Sequence, residues 1–363
     1  MFQGRSSLLF FLPRSLTVTL VKTLLTNFTG TVFVVLFFCL LPIRASAAAF
    51  SNVYTFGDSL VDNGNFYNET LDPSFPDDPF PASPPYYQGR FSNGPVWSEA
   101  LESKLGLPAS SGKNYAFGGA TTGKKHVEYS PPSEFPGLLT QVGNFRKDNK
   151  NADPNALYII SAGANNYDEA TLAATDPKKV NKQIDKTVDN VSKAVTKLSK
   201  EGAQTVMVTN LPNLANIPGN ASSVPNSELD SLRKFTLAHN SALAESLQSL
   251  EDSSKPKLAN LNVITLDLYS LFADVRANPS QYGFTNTNVT KPCFIPTASS
   301  SVCSNPDERL FWDPLHPTAA GHQQIAERAY NNIDHAPEPL TVSGSLAALG
   351  LGVWFKRKYA RKS

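Results

Sequence analysis

The stretch VYTFGDSLVDNGN, residues 53–65, decides the fold and indicates the chemistry of this chain. It opens with the short apolar segment 53–56, which predicts a buried strand, and continues into Gly57-Asp58-Ser59. A strand with this ending places the Ser59 hydroxyl at the carboxyl end of an open α/β sheet, where such sheets build their sites. A hydroxyl is a poor nucleophile until a base takes its proton, so Ser59 needs a histidine.

The candidate base lies near the other end of the chain, in Trp312-Asp313-Pro314-Leu315-His316-Pro317. Asp313 and His316 are three residues apart, so one turn of loop can bring the carboxylate to the imidazole Nδ1–H. This contact would fix the tautomer and stabilise the imidazolium that forms when Nε2 takes the serine proton. The segment therefore predicts an acid–base pair for Ser59.

Two internal motifs offer donors for a developing negative charge. Asn114-Tyr115-Ala116-Phe117-Gly118-Gly119-Ala120 contains a glycine pair whose backbone N–H groups can approach a substrate closely. Ser161-Ala162-Gly163-Ala164-Asn165-Asn166 follows the apolar run 157–160. An asparagine at a strand end can donate its side-chain N–H to an oxyanion.

Together the four blocks resemble the GDSL family of lipases and esterases, also called SGNH hydrolases. The resemblance covers roughly residues 50–333 and is closest in kind to the plant-type, phospholipase-like branch. It implies a serine nucleophile, a histidine base with Asp313 as its acid, and an oxyanion hole of two backbone N–H groups and one asparagine. The four blocks place these roles, in order, on Ser59, Gly119, Asn165 and His316.

Two details of the resemblance stay open. Either Gly118 or Gly119 could be the backbone donor beside that of Ser59, and the spacing from Asn114 favours Gly119. The third block of the family usually reads Gly-x-Asn-Asp, and here Asn166 takes the last place. This departure puts in doubt only the contacts that support the oxyanion donor.

The pattern of apolar segments predicts the fold. The strand candidates are short, unbroken apolar runs, as a sheet covered on both faces requires; they lie at 53–57, 113–117, 156–161, 204–209 and 261–266. Helical spacing marks 180–198, with Gly202 as a stop, 229–250, and a segment that Pro317 opens. This alternation implies parallel βαβ units. We predict a three-layer α/β/α sandwich with a mainly parallel five-stranded sheet, flavodoxin-like, as the resemblance also implies.

The two ends of the chain are predicted to lie outside this domain, which would span 48–335. Residues 1–47 are typical of a secretory signal peptide, with a basic start, an apolar core over 31–41 and Ala45-Ser46-Ala47 for cleavage. Residues 336–363 resemble a PEP-CTERM sorting signal, with Pro337-Glu338-Pro339, an apolar helix and a basic tail. That resemblance implies a sorting protease at the membrane and transient membrane association through the helix. A retained N-terminal anchor and a plain tail anchor are the alternatives.

Charge and cysteine content agree with export. Residues 1–47 and 340–363 carry nine basic and no acidic side chains, so the rest of the chain has 23 basic and 31 acidic residues, a net charge of −8. An acidic body argues against a nucleic-acid partner. Cys293 and Cys303 would remain after signal cleavage, and an oxidising compartment would let them pair.

The sequence predicts an exported ester hydrolase that needs no cofactor and no catalytic metal. The ester could be a lipid or an acylated sugar, so a polysaccharide O-acetyl esterase is the alternative, and a non-catalytic matrix or surface protein is another. We expect the proline-rich loop 71–95 and the loop 279–312 to form the rim of the substrate cleft, with aromatic residues of the first lining it. Of the other histidines, His322 is expected to face the surface or a neighbouring loop. Acyl-chain length, headgroup and oligomeric state stay open.

Overall fold

The computed structural model describes residues 50–73, 75, 79–108, 114–127, 135–167, 176–223, 225–285, 288–297 and 301–334. The predicted signal peptide and sorting signal, 1–47 and 336–363, lie outside these residues. What is described therefore falls within the predicted domain.

Four parallel strands form the central sheet: β1 (Val53–Gly57), β2 (Leu157–Ser161), β3 (Thr205–Thr209) and β4 (Asn262–Leu266). They lie side by side in chain order, with Val53 beside Leu157 in the register. Every residue of β2 and β3 is buried, because helices cover both faces of the sheet.

The predicted fifth strand at 113–117 is wrong in detail. The chain from 114 to 117 runs beside β1, where Tyr115 N–H donates to Thr55 O at 2.8 Å, but only one isolated bridge forms. The Asn114 side chain accepts the Ala116 N–H at 2.8 Å, and a local bond of this kind competes with a strand ladder. The segment still occupies the strand position next to β1, so the flavodoxin-like order of chain segments is kept.

Helices pack in two layers, which confirms the α/β/α sandwich. One layer holds α3 (Leu138–Asp148), α4 (Pro177–Glu201) and α6 (Asn226–Glu251), and the other holds α2 (Trp97–Lys104), α7 (Leu268–Ala277) and α8 (Ala319–Asp334). The short helices α1 (Asn65–Thr70) and α5 (Pro218–Ser223) follow β1 and β3. Within the described ranges, none of the helices combines the length and apolar content needed to cross a membrane.

The two clearest helix predictions are confirmed, and a third is displaced. Gly202 caps α4, and α6 contains the predicted 229–250 pattern. The third helix, α8, begins at Ala319 instead of Pro317. The Thr318 hydroxyl accepts the Gly321 N–H at 3.0 Å, so threonine caps this helix and the proline precedes the cap. The apolar face of α8 is buried as predicted, at Ile325, Ala329 and Ile333.

Candidate active site

Ser59 stands on a tight turn directly after β1. Gly57 has φ +145°, and a Cβ there would lie 1.9 Å from Ser161 O, so only glycine fits. The turn is closed by Asp58 N–H, which donates to Ser161 O at 3.0 Å, and by Leu60 N–H, which donates to Asp58 Oδ1 at 3.1 Å. The predicted strand-to-turn geometry of this segment is confirmed.

The structure brings Ser59, His316 and Asp313 into one hydrogen-bonded line. His316 Nε2 lies 2.8 Å from Ser59 Oγ, and His316 Nδ1 lies 2.8 Å from Asp313 Oδ2. The serine and histidine are 257 residues apart in the chain. One ring nitrogen can therefore take the serine proton while the other donates to the carboxylate.

Asp313 is a buried carboxylate that remains ionised. Its Oδ1 accepts backbone N–H groups from Leu315 at 2.8 Å and from His316 at 2.7 Å. Tyr86 donates its phenolic O–H to Oδ2 at 2.7 Å. Burial would raise the pKa of Asp313, but the adjacent His316 and these hydrogen bonds hold that pKa below its usual value. A carboxylate with a lowered pKa keeps its negative charge toward the histidine at neutral pH.

Asp62 connects the serine loop to the glycine motif. Its Oδ1 accepts the N–H groups of Gly64 at 2.8 Å and Asn65 at 2.7 Å, and its Oδ2 accepts those of Phe66 at 3.2 Å and Gly118 at 2.7 Å. Burial raises the pKa of Asp62 to about 6 against these four hydrogen bonds. One side chain thus fixes the loop after Ser59 relative to the glycine pair.

The hydrogen bonds distinguish the two glycines. Gly118 N–H is already bound to Asp62, so it cannot turn to a substrate. Within the described chain, Gly119 N–H makes no hydrogen bond, and Gly119 has φ +75°. The Gly118 carbonyl contacts His126 Nε2. The Gly119 N–H belongs to the same peptide unit and therefore points the opposite way, away from His126. Of the two glycines, Gly119 is therefore the one whose backbone N–H is free of a hydrogen bond in the described chain, in line with its spacing from Asn114.

Asn165 lies on a 3-10 turn, Ala164–Asn166, just after β2. Its Nδ2 donates one N–H to Ala120 O at 3.2 Å, which orients the amide and leaves the second N–H. Asn166 supports the turn, because its Oδ1 accepts the Thr122 N–H at 2.8 Å. The departure from the usual Asp therefore keeps an acceptor oxygen at this position.

A cavity of about 320 Å³ opens from Ser59, His316 and Asn165. Its far walls are mainly apolar and come from the loop after β3 and the start of α7; they include Leu211, Leu214, Ile217, Leu268 and Phe272. Leu315 also lines it and is 57% exposed. Sequence reasoning missed these wall residues, because apolar side chains after a strand look the same as core residues.

The polar groups in the far wall are already bonded. Asn210 donates Nδ2–H to Asp267 Oδ1 at 2.7 Å and accepts the N–H groups of Leu268 and Tyr269 at 2.7 and 3.2 Å. Thr209 Oγ1 lies 3.2 Å from Ser161 Oγ. The inner cavity therefore presents a mainly apolar surface to a ligand.

The described residues of the two long loops do not line this cavity, although Phe91 of the first loop packs against the His316 ring at 5.1 Å between centroids, so the expectation that the loops form the rim of the cleft stays a prediction. The loops pack against each other behind Asp313, in a cluster of Tyr86, Phe294 and Trp312 around the Cys293–Cys303 disulfide of the structure. Phe294 N–H donates to Trp312 O at 2.7 Å, which fixes the disulfide loop to the segment that carries Asp313. These loops support the site from behind.

The expectation for His322 is also wrong. This residue is fully buried between α8 and α2, where its Nδ1 accepts the Trp97 N–H at 3.1 Å, and burial lowers its pKa to about 3. His239 is buried too and contacts the Tyr167 hydroxyl at 2.7 Å, and its pKa is lowered to about 4 for the same reason. Both imidazoles are neutral at physiological pH. His335 lies outside the described residues.

Sequence comparison adds the decisive observation. A family model described as "GDSL-like Lipase/Acylhydrolase" matches residues 53–329, most of the chain. The chain belongs to this family. Its match starts at the first residue of β1 and ends within α8, so the family region coincides with the sandwich and contains every residue of the candidate site.

Relatives of this GDSL family member are enzymes of ester chemistry by name. The phosphatidylcholine-sterol acyltransferase of Aeromonas hydrophila is 27% identical over 350 residues, which cover 82% of this chain and 96% of the relative. A GDSL esterase/lipase of Arabidopsis thaliana is 27% identical over 343 residues, covering 79% and 90% of the two chains. Phospholipase A1 of Streptomyces albidoflavus superposes with a TM-score of 0.40 at 11% identity, over 78% of this chain and 98% of that one. Family membership supports an ester-hydrolysing enzyme.

Proposed function

We propose that this GDSL family member is an exported serine hydrolase that cleaves carboxylic esters. The observation that carries the proposal is the line from Ser59 Oγ through His316 to Asp313, with both contacts to the imidazole at 2.8 Å. A buried, ionised Asp313 and a histidine with one nitrogen on the serine are the parts that hydroxyl activation needs.

In the proposed reaction, Ser59 Oγ attacks the ester carbonyl and His316 Nε2 takes its proton. The carbonyl oxygen becomes an oxyanion. It accepts hydrogen bonds from the backbone N–H groups of Ser59 and Gly119 and from the remaining Nδ2–H of Asn165. His316 then gives the proton to the leaving alkoxide, and the acyl group stays on Ser59. Water attacks this acyl-enzyme by the same route in reverse, with His316 as base, and releases the carboxylic acid.

The cavity favours an aliphatic acyl group as part of the substrate. Its apolar far wall would bury methylene groups, and its polar side chains at Asn210 and Thr209 are bonded to the protein. A polysaccharide O-acetyl esterase would need polar groups for sugar hydroxyls near the serine. We therefore place a lipid-type ester first and the O-acetyl ester second.

Export and processing complete the proposal. Residues 1–47 would direct secretion, residues 336–363 would anchor the chain transiently until a sorting protease cuts near Pro337-Glu338-Pro339, and the Cys293–Cys303 bond would form after export. The intact mass of the extracellular protein tests this. A mass that still includes Lys356 to Ser363 would exclude the sorting signal.

The catalytic proposal is tested by replacing the nucleophile. Purified protein should hydrolyse p-nitrophenyl esters, and Ser59→Ala should lower kcat by a factor on the order of 10⁶, the loss seen for a nucleophile in such a unit. Ser51→Ala, an exposed serine bonded to Asp153, is the matched control and should keep full activity. Hydrolysis that persists in pure Ser59→Ala protein would contradict the mechanism, and a pure wild-type protein without any ester hydrolysis would favour a non-catalytic role.

A further inference from the structure

Tyr86 makes a contact that the proposed mechanism does not use. It lies in the proline-rich loop, 227 residues from Asp313 in the chain, and its hydroxyl is 2.7 Å from Asp313 Oδ2. The same Oδ2 faces His316 Nδ1 at 2.8 Å. The phenolic O–H and the imidazole N–H therefore share one carboxylate oxygen.

The ring of Tyr86 is held in place on several sides. It packs edge-to-face with Phe294 at 5.8 Å and Trp312 at 6.1 Å between ring centroids, and only 7% of the residue is exposed. Behind it, Ser83 Oγ donates to Tyr86 O at 2.7 Å, which fixes the backbone. The position of the hydroxyl is thus set by the packing of two loops and not by the contact with Asp313 alone.

The chemistry of the phenol suits this place. Burial and the negative charge of Asp313 raise the pKa of Tyr86 well above its usual value, so the hydroxyl stays protonated and donates across the working range of a serine hydrolase. A neutral donor constrains the carboxylate without introducing a positive charge that would compete with His316. Asp58 and the buried His322 also interact electrostatically with His316.

We propose that Tyr86 is a positioning residue for ester hydrolysis, whose O–H holds Asp313 in the rotamer that directs Oδ2 to His316 Nδ1. The proposal rests on the proposed function of Ser59, His316 and Asp313. Backbone N–H groups of Leu315 and His316 donate to the other carboxylate oxygen, Oδ1, which also lies 3.0 Å from His316 Nδ1, so Oδ1 is anchored within its own loop. Tyr86 adds a donor to Oδ2 from outside this loop.

The matched test compares Tyr86→Phe with Tyr87→Phe. Tyr87 is the next residue, its side chain is exposed, and its ring contact with Arg90 survives loss of the hydroxyl. Removing one hydrogen bond to a charged group should lower kcat for a p-nitrophenyl ester roughly tenfold in Tyr86→Phe. KM should stay within about twofold, and Tyr87→Phe should match the wild type, because neither change touches the acyl cavity.

A double-mutant cycle separates positioning from simple support of the fold. If the hydroxyl acts through Asp313, Tyr86→Phe should have no further effect on kcat/KM in an Asp313→Ala background. Rates are expressed per serine titrated with a fluorophosphonate, so that any misfolded fraction is not counted. The same tenfold loss in both backgrounds, or a Tyr86→Phe protein with wild-type kcat, would overturn the inference. If Tyr86→Phe and Asp313→Ala each leave hydrolysis unchanged and Ser59→Ala also retains it, the proposed function itself would be overturned.

Discussion

Blocking the apolar cavity should shorten the acyl chain that the enzyme accepts. Ile217 lines the cavity from the loop after β3 and is almost fully buried. Replacing it with tryptophan would fill space that acyl methylenes otherwise occupy. Leu237→Trp is the matched control, since Leu237 is 48% exposed on α6 and does not line the cavity.

The magnitude follows from the volume and lining of the cavity. At about 320 Å³ it lies at the small end of ligand pockets, enough for an acyl chain but not for a whole lipid. Each buried methylene contributes about 0.8 kcal/mol, which is about fourfold in kcat/KM. From acetyl to hexanoyl, four methylenes would give an increase of up to about 250-fold, with a plateau once the cavity is full.

The assay is a series of p-nitrophenyl esters from acetyl to palmitoyl, with kcat/KM measured for the wild type and both variants. Ile217→Trp should keep acetyl hydrolysis within a few fold and lose most of the gain for longer chains, while Leu237→Trp follows the wild type. A wild type that prefers acetyl, or an Ile217→Trp variant that loses the same factor on every ester, would refute the acyl-cavity reasoning.

Three further predictions concern other parts of the molecule. Asn165→Ala should lower kcat by roughly 10²–10³ if its amide stabilises the oxyanion; a change under twofold in steady-state kinetics would remove it from that role. Mass spectrometry of exported protein with and without reductant should find Cys293 and Cys303 bonded, and loss of the bond should lower the free energy of unfolding by about 2–3 kcal/mol; two alkylatable thiols in native protein would argue against it. Burial raises the folded-state pKa of Asp58 to about 7, so its contribution to stability is present below about pH 4 and is lost as pH rises through 7. Denaturant unfolding should therefore show that the free energy of unfolding of Asp58→Asn, relative to that of the wild type, is higher at pH 8 than at pH 5. The same difference at both pH values would count against the raised pKa.

Features that depend on neighbours within one element could be predicted from the sequence. The strand before Ser59 and the helix α4 with its Gly202 stop follow from local apolar spacing and end signals. The prediction of a fifth strand was wrong because the Asn114 side chain accepts the Ala116 N–H, and this local hydrogen bond competes with strand pairing. The apolar content of the segment does not reveal that competition. The prediction for His322 was wrong for a different reason. Its partner, the Trp97 N–H, lies 225 residues away in the chain, and no pattern around His322 indicates that contact.

The convergence of the proposed oxyanion donors is a consequence of the sheet. Ser59, Gly119 and Asn165 follow β1 and the two segments on either side of it, the stretch 114–117 and β2. Neighbouring strands lie about 4.8 Å apart, so three parallel segments that end together bring their following residues within reach of one carbonyl oxygen. The segment 114–117 lies on one side of β1 and β2 lies on the other, so the order of segments along the sheet reverses at this point. Open α/β folds form a crevice at such a switch in strand order. The order of the blocks along these segments therefore favours a shared site, and the spacing of Asp313 and His316 predicted the acid. The support of Asp313 did not follow from the sequence, because this carboxylate is held by Tyr86 and by loops that only tertiary packing brings together.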